Sequence, residues 1–239
     1  MHRRPNPVFQ QLRRVRLQHD FAPLASHVGT GSTLIDYGTG DGSLAVEMQR
    51  AGHKVGARDT YEDSEWSRSG VEYRKVDVAN PTAADFSVGG EVAGGVIMRH
   101  VLEHVPDPST LLKTIRDAGV GYVAAVVPNA DSRFARRFGA DWYYWDPPRH
   151  LFHFNHQSLM ALAEQVGAGI VSIDHYGIDE VLSSINRRQR VRALATGHQP
   201  DETSLLLRLS HPTGIAAGLM SGLTGLVSKG VIRVLIKFD

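Results

Sequence analysis

The sequence predicts an α/β fold: a doubly wound, mostly parallel sheet with helices between its strands. Three observations predict it. From residue 33 to about residue 127, short apolar runs alternate with helical segments, the pattern of strands joined by crossover helices. The first run, Leu34-Ile35-Asp36-Tyr37, opens into Gly38-Thr39-Gly40-Asp41-Gly42, and alternate glycines let backbone turn sharply and approach a ligand. The run Tyr122–Val127 is rich in β-branched residues and alanine, as in a strand buried on both faces.

The elements follow in order. Residues 1–29 are basic, with Leu12, Val15 and Leu17 interleaved among Arg13, Arg14 and Arg16. This reads as a helix with one apolar side laid on the domain; a lid and an anionic-surface contact stay open as alternatives. Thr33–Tyr37 is the first strand. Ser43–Ala51 is a helix with Leu44, Ala45 and Met48 on one face, stopped by Gly52. Lys54–Arg58 is the second strand, with Asp59 at its tip. Glu72–Val76 and Gly95–Met98 are the third and fourth. The breaker Pro106-Asp107-Pro108 precedes a helix over Ser109–Ala118, and Tyr122–Val127 is the fifth strand, ending at Pro128-Asn129. Ala130–Phe154 reads as a long irregular segment containing Trp142, Tyr143, Tyr144 and Trp145. A helix over Gln157–Val166 stops at Gly167, and Ile170–Ile173 and Val231–Phe238 are strands. Residues 179–229 form an insertion with its own helices. The organisation expected is a basic segment over 1–29 followed by one domain over 30–239.

Composition narrows the function. A chain of 239 residues suits one large domain, or one domain with additions. The hydrophobic share of 42% and charged share of 21% are ordinary for a globular protein. A net charge of +1 gives no global field for nucleic acid, so no nucleic-acid partner is expected. The absence of cysteine excludes disulfides and cysteine zinc sites. Arg3 and Arg4 have no apolar run behind them, so a secretory signal is not expected and the default location is the cytoplasm. Leu209–Ser228 lacks formal charge, but Pro212 and four glycines make it a poor membrane span. It reads as buried packing, with peripheral membrane contact as the alternative.

The glycine loop and Asp59 point to a nucleoside ligand. The helix after the loop offers free N–H groups, and an acid at the tip of the next strand can accept from both ribose hydroxyls. The dinucleotide fingerprint requires G-x-G-x-x-G around a pyrophosphate. Here the spacing is G-x-G-x-G, flanked by Asp36 and Asp41, whose carboxylates would repel a pyrophosphate but favour an ammonium group. The acid-x-G-x-G-x-G run resembles the first motif of the class I S-adenosylmethionine-dependent methyltransferases. His100-Val101-Leu102-Glu103-His104-Val105-Pro106-Asp107-Pro108 is similar to the ubiquinone-type subgroup of that family. Val127-Pro128-Asn129 and the run from Trp142 through Pro148-Arg149-His150-Leu151-Phe152-His153-Phe154 are similar too. In their right order these matches cover about residues 30–175.

The resemblance implies a Rossmann-like, seven-stranded sheet with helical additions and S-adenosyl-L-methionine as cofactor. Asp36, Gly38, Thr39, Gly40, Gly42, Asp59, Thr60, Asp77, Val78 and Arg99 are the implied cofactor-binding residues. Asp77 would accept from the adenine amino group, unless it is a turn or cap aspartate, and the N–H of Val78 would contact the ring. Tyr37 replaces a small residue common in the family, and is expected to crowd or restack the cofactor.

Methyl transfer needs donor and acceptor held in line, and an oxygen or nitrogen acceptor needs a base. Histidine suits that task, and His100, His104, His150 and His153 are candidates. His100 and His150 are the expected catalytic pair. His100, Glu103 and His104 have helical i, i+3, i+4 spacing. In some ubiquinone-type enzymes a carboxylate-rich version of this motif holds a divalent ion. With a histidine at the first acidic position, Glu103 and His104 are expected to fix the loop by hydrogen bonds, and no metal is expected. The Trp142–Trp145 segment reads as a wall of an acceptor pocket. The function expected is O-methylation of a small-molecule, sugar or lipid-linked acceptor. A non-catalytic cofactor-binding or scaffold protein on the same fold is the alternative. The oligomeric state is left open.

Overall fold

The computed structural model describes residues 7–61, 70–176 and 229–238. The insertion expected over 179–229 lies outside them save for its last residue, and so does the uncharged stretch Leu209–Ser228.

Nine strands and five α-helices are described. Strands β1 (Thr33–Tyr37), β2 (Lys54–Asp59), β3 (Glu72–Lys75), β6 (Gly95–Arg99), β7 (Tyr122–Pro128), β8 (Ala168–Tyr176) and β9 (Val231–Phe238) form one sheet in the order β3-β2-β1-β6-β7-β9-β8. β1 pairs parallel with β2 and β6, β2 with β3, and β6 with β7. Strand order reverses between β1 and β6, where open α/β sheets place their ligands at the carboxyl edge. At β9 the N–H of Asn129 reaches the Gly230 carbonyl and that of Phe238 reaches the Gly121 carbonyl, so β9 runs antiparallel to β7. A two-stranded ribbon, β4 (Ser87–Val88) with β5 (Glu91–Val92), is an addition that the sequence reading lacked. Its strands are too short to show a period.

Helix α1 (Pro7–Val28) confirms a helical N-terminal segment but corrects its buried face. Leu17, Asp20, Phe21 and Leu24 are buried, whereas Val15 is 54% exposed. Among the described side chains the buried stripe runs from Leu17 to Leu24 at helical spacing. Helix α2 (Ser43–Arg50) buries Leu44, Ala45 and Met48 as expected. Helix α3 (Pro108–Asp117) is capped by Asp107, whose carboxylate accepts from the Thr110 N–H at 3.0 Å. That exposed carboxyl is held down at about 2 by hydrogen bonds from Thr110 and Ser109.

The chain falls into two compact units. One comprises residues 1–127, 157–173 and 233–239; the other comprises 128–156 and 174–232. In the first, Leu17, Phe21, Leu24, Leu34, Met48, Ile97 and Ala124 belong to one core. The second contains α4 (Arg133–Phe138), whose N-cap Ser132 accepts from the Ala135 N–H at 2.9 Å. The stretch expected to be irregular is therefore partly helical. Helix α5 (His156–Gln165) leads into β8, which extends beyond the four residues expected for it.

Candidate functional site

The glycine loop is held to β2 by hydrogen bonds that leave one side open. The N–H groups of Gly38 and Thr39 both donate to the Arg58 carbonyl, at 2.7 and 3.0 Å. Gly38 has φ 79°, and a Cβ there would collide with Val101 Cγ2. Gly40 has φ 54°, yet a Cβ there would meet no atom within 4 Å. The backbone at Gly40 thus faces open space while the backbone at Gly38 is packed.

Asp59 closes the loop from β2. Its Oδ2 accepts from the Gly40 N–H at 2.7 Å and its Oδ1 from the Thr60 N–H at 2.7 Å. Thr60 Oγ1 also donates to Oδ1, at 3.4 Å; a carboxylate has about four lone-pair sites, so Oδ2 keeps capacity for a ribose hydroxyl. Asp36 lies beneath the loop, 1% exposed, accepting from Thr39 Oγ1 at 2.8 Å. Burial pushes its carboxyl up to about 7, against lowering by Thr39, the Ala45 N–H and the charge of Arg99. The nearby Asp59 carboxylate adds to the rise. Asp36 therefore shapes the loop and responds to charge above it, rather than presenting an exposed ligand.

Arg58 explains why the tip of β2 holds its place. It is fully buried, and its guanidinium donates to the Asp85 carbonyl at 2.8 Å, the Ala57 carbonyl at 3.0 Å and Glu72 Oε1 at 2.9 Å. A buried charge satisfied this way costs far less than an unpaired one. The sequence reading passed over Arg58; its signal is a lone arginine in a strand otherwise buried.

Two contacts tie α1 to this edge. Arg13 pairs with Asp41 of the loop. The Asp41 carboxyl is resisted by burial but brought below its usual range by Arg13 and the Ser43 N–H. Arg99, at the end of β6, donates to buried Asp20 at 2.8 Å. The basic segment thus engages the glycine loop through Arg13, and the end of β6 through Asp20.

Asp77 is exposed. Its oxygens accept from the Ala79 N–H at 2.9 Å and Asn80 Nδ2 at 2.8 Å. These bonds hold its carboxyl below the usual range. The turn aspartate kept open in the sequence is present, and Val78 follows it half-buried. Tyr37 corrects an expectation. Fully buried, it stacks on Phe86 with ring centroids 5.7 Å apart, so it packs the core rather than crowding a cofactor. Burial, then the charges of Asp85 and Asp77, push its phenol up.

His100 follows β6 with φ 56°, a left-handed conformation that costs roughly 1–2 kcal/mol for an L-residue. Its N–H donates to the Val126 carbonyl at 2.8 Å. Its Nδ1 lies 3.4 Å from Oε1 of Glu103, a carboxylate 1% exposed. Neither Glu103 oxygen accepts a hydrogen bond among the described residues. The expectation that Glu103 fixes the loop by hydrogen bonding is therefore wrong. Its carboxylate is buried facing the His100 imidazole.

In the second unit, Trp142 is fully buried, with Tyr144 and Trp145 edge-on at centroid distances of 5.5 and 5.1 Å. Trp145 Nε1 donates to the Gly139 carbonyl at 2.6 Å. His150 Nδ1 donates to the Tyr144 carbonyl at 2.7 Å, so in the neutral ring Nε2 is the basic nitrogen. That Nε2 lies 3.9 Å from Asp146 Oδ2. His153 packs edge-on to Trp145, and burial lowers its pKa.

A mostly parallel sheet in this order, a glycine loop after β1 and an acid at the tip of β2 define the class I S-adenosylmethionine-dependent methyltransferase fold. The family model for a methyltransferase domain matches residues 9–173, and the chain belongs to that family. It is 29% identical over 127 residues to a ubiquinone biosynthesis O-methyltransferase of Caulobacter vibrioides, covering 49% of this chain and 50% of that protein. It is 28% identical over 161 residues to the protein of that name from Ruegeria sp., covering 62% of this chain and 63% of that protein. The chain thus spans about half the length of one of these relatives and under two thirds of the other. A solved methyltransferase from Archaeoglobus fulgidus shares the fold at TM-score 0.59 and 19% identity, covering 95% of this chain and 94% of that chain.

The site fits S-adenosylmethionine. The open side of Gly40 admits a ligand against backbone, and Asp59 retains acceptor capacity for a ribose. Asp36, Asp41 and Asp59 give the loop the negative character an ammonium prefers.

Proposed function

We propose that the chain transfers the methyl group of S-adenosylmethionine to an oxygen of a small-molecule, sugar or lipid-linked acceptor. The observation that carries the cofactor half is Asp59, held in the glycine loop by Gly40 and Thr60 with acceptor capacity remaining. The O-directed half is supported by relatives named as O-methyltransferases and by a candidate base, His100, backed by a buried carboxylate.

When bound, the cofactor supplies an electrophilic methyl on a sulfonium. The protein's task is placement and proton removal. Asp59 orients the nucleoside, the Val78 N–H receives the base, and Thr60 and Arg99 complete the rim. His100 takes the acceptor hydroxyl proton, and Glu103 stabilises the resulting imidazolium. His150, with Nε2 as its basic nitrogen, is the second candidate for that proton.

Calorimetric titration with S-adenosylhomocysteine and NAD, followed by turnover of labelled methyl donor, tests the reading. Binding of S-adenosylhomocysteine but not NAD, with transfer to an oxygen acceptor, is the expected result. Preference for NAD would overturn the cofactor. Tight S-adenosylhomocysteine binding without transfer to any acceptor would favour the non-catalytic binding protein.

A further inference from the structure

The second unit holds a cavity of about 330 Å³ that the methyl-transfer reading does not use. Arg133, Arg136, Lys229, His156 and His175 line it. Arg133 and Arg136 stand one turn apart on α4, on the same side of the helix. Lys229 precedes β9 with φ 50°, and its carbonyl accepts from Asn129 Nδ2 at 2.8 Å, which fixes the backbone from which the side chain extends. The rings of His156 and His175 stack at 5.7 Å, tilted by 11°.

The cavity also contains one acid, Asp131. Its Oδ2 accepts from Asn155 Nδ2 at 2.8 Å, and Arg136 reaches its backbone carbonyl rather than its carboxylate. Among the described residues, no carboxylate forms an ion pair with Arg133, Arg136 or Lys229. Three cations therefore meet in one concavity with a single carboxylate, Asp131, and among the described residues none of the three is ion-paired to it. Guanidinium groups suit the geometry of an oxyanion, and a lysine adds a point charge. Two stacked imidazoles beside a lysine repel one another once protonated, and a dianion relieves that repulsion.

We propose that this cavity binds a phosphoryl group, with Arg133, Arg136 and Lys229 as its charged donors and the His156–His175 pair as its floor. The ligand is inorganic phosphate or a small phosphate monoester, and the assignment stands independently of methyl transfer. Burial, then His156 and Lys229, hold the His175 imidazole below its ordinary value, and a bound dianion reverses the last two effects.

The experiment titrates the full chain with inorganic phosphate, phenyl phosphate and acetate by calorimetry, and follows the His175 ring by NMR. Saturable phosphate binding is expected, weakened about tenfold or more by Arg133→Gln/Arg136→Gln, since each lost contact is a charge-assisted hydrogen bond. Lys229→Gln, on an exposed side chain, should weaken it too, which guards against misfolding of the double variant. His175 should titrate at higher pH with phosphate present. Tighter phenyl phosphate binding assigns an ester; equal binding assigns free phosphate. Absence of saturable binding, acetate binding as tight as phosphate, or unchanged affinity in both variants would overturn the proposal.

Discussion

The Gly40 N–H donates to Asp59 Oδ2 at 2.7 Å, joining the loop after β1 to the tip of β2. One carboxylate thus sets the loop, and in the proposed function it also offers an acceptor to a ribose.

Replacing Asp59 with alanine removes both. S-adenosylhomocysteine binding should weaken by roughly 1.5–3 kcal/mol, the scale of hydrogen bonds to a charged group. Calorimetry on the folded variant checks this. An unchanged affinity would mean that the ribose is held elsewhere.

Asp36 makes binding and stability depend on pH. Its folded pKa of about 7 lies above the unfolded value of about 3.9. The folded chain therefore holds the proton longer, and this group's contribution to stability falls as pH rises from about 4 to about 7. Chemical denaturation should show Asp36→Asn gaining stability relative to wild type across that window. A cationic ligand favours the ionised form, so S-adenosylmethionine, with its sulfonium, should bind more tightly from pH 6 to pH 8 with proton release, an effect centred near 7. Calorimetry in PIPES and Tris buffers reads the released proton. Buffer-independent heats would contradict the coupling.

In the proposed reaction Glu103 acts through His100. Glu103→Gln keeps the shape but removes the charge 3.4 Å from Nδ1. kcat should fall across the pH profile in this variant, because the imidazolium formed during transfer loses its buried counter-charge. His100→Ala should lower kcat by about 10²–10⁴, the range for a general base. S-adenosylhomocysteine affinity should hold in both variants. An unaltered profile in Glu103→Gln would leave Glu103 with packing alone.

Asp20→Ala leaves Arg99 without its buried partner. Arg99 is 27% exposed, so the cost should sit near or below the lower end of about 3–5 kcal/mol seen when buried pairs are broken. Thermal unfolding measures it. A loss below about 0.5 kcal/mol would place the pair among ordinary surface contacts.

No metal is expected for turnover. Treatment with EDTA should leave methyl transfer intact. Loss of activity restored by magnesium or zinc would make Glu103 a metal ligand and displace the base reading.

Much of this protein was legible in its residues. β1 and β9 were read with their observed bounds, because continuous apolar runs bounded by glycine and polar turns leave little freedom. The loop from Gly38 to Gly42 and the acid at Asp59 were readable because their meaning is local: a turn, a helix start and a strand tip. Helix α4 escaped because Arg133–Phe138 spans fewer than two turns, too short for a period to show against its aromatic neighbours.

The sequence by itself determined the order of the seven main-sheet strands and of the helices α2, α3 and α5, and the position of the glycine loop after β1, since these rest on patterns within a few residues. Only the tertiary structure decided which charges meet. Asp20 with Arg99 and Arg13 with Asp41 pair residues far apart in sequence, and no local pattern encodes such a meeting. The same holds for Tyr37, whose ring turns to Phe86 rather than the ligand, and for the cations around the second unit's cavity. Periodicity assigns a face; burial and partner come from the elements packed against it, because the energy of a buried charge depends on its neighbours in space.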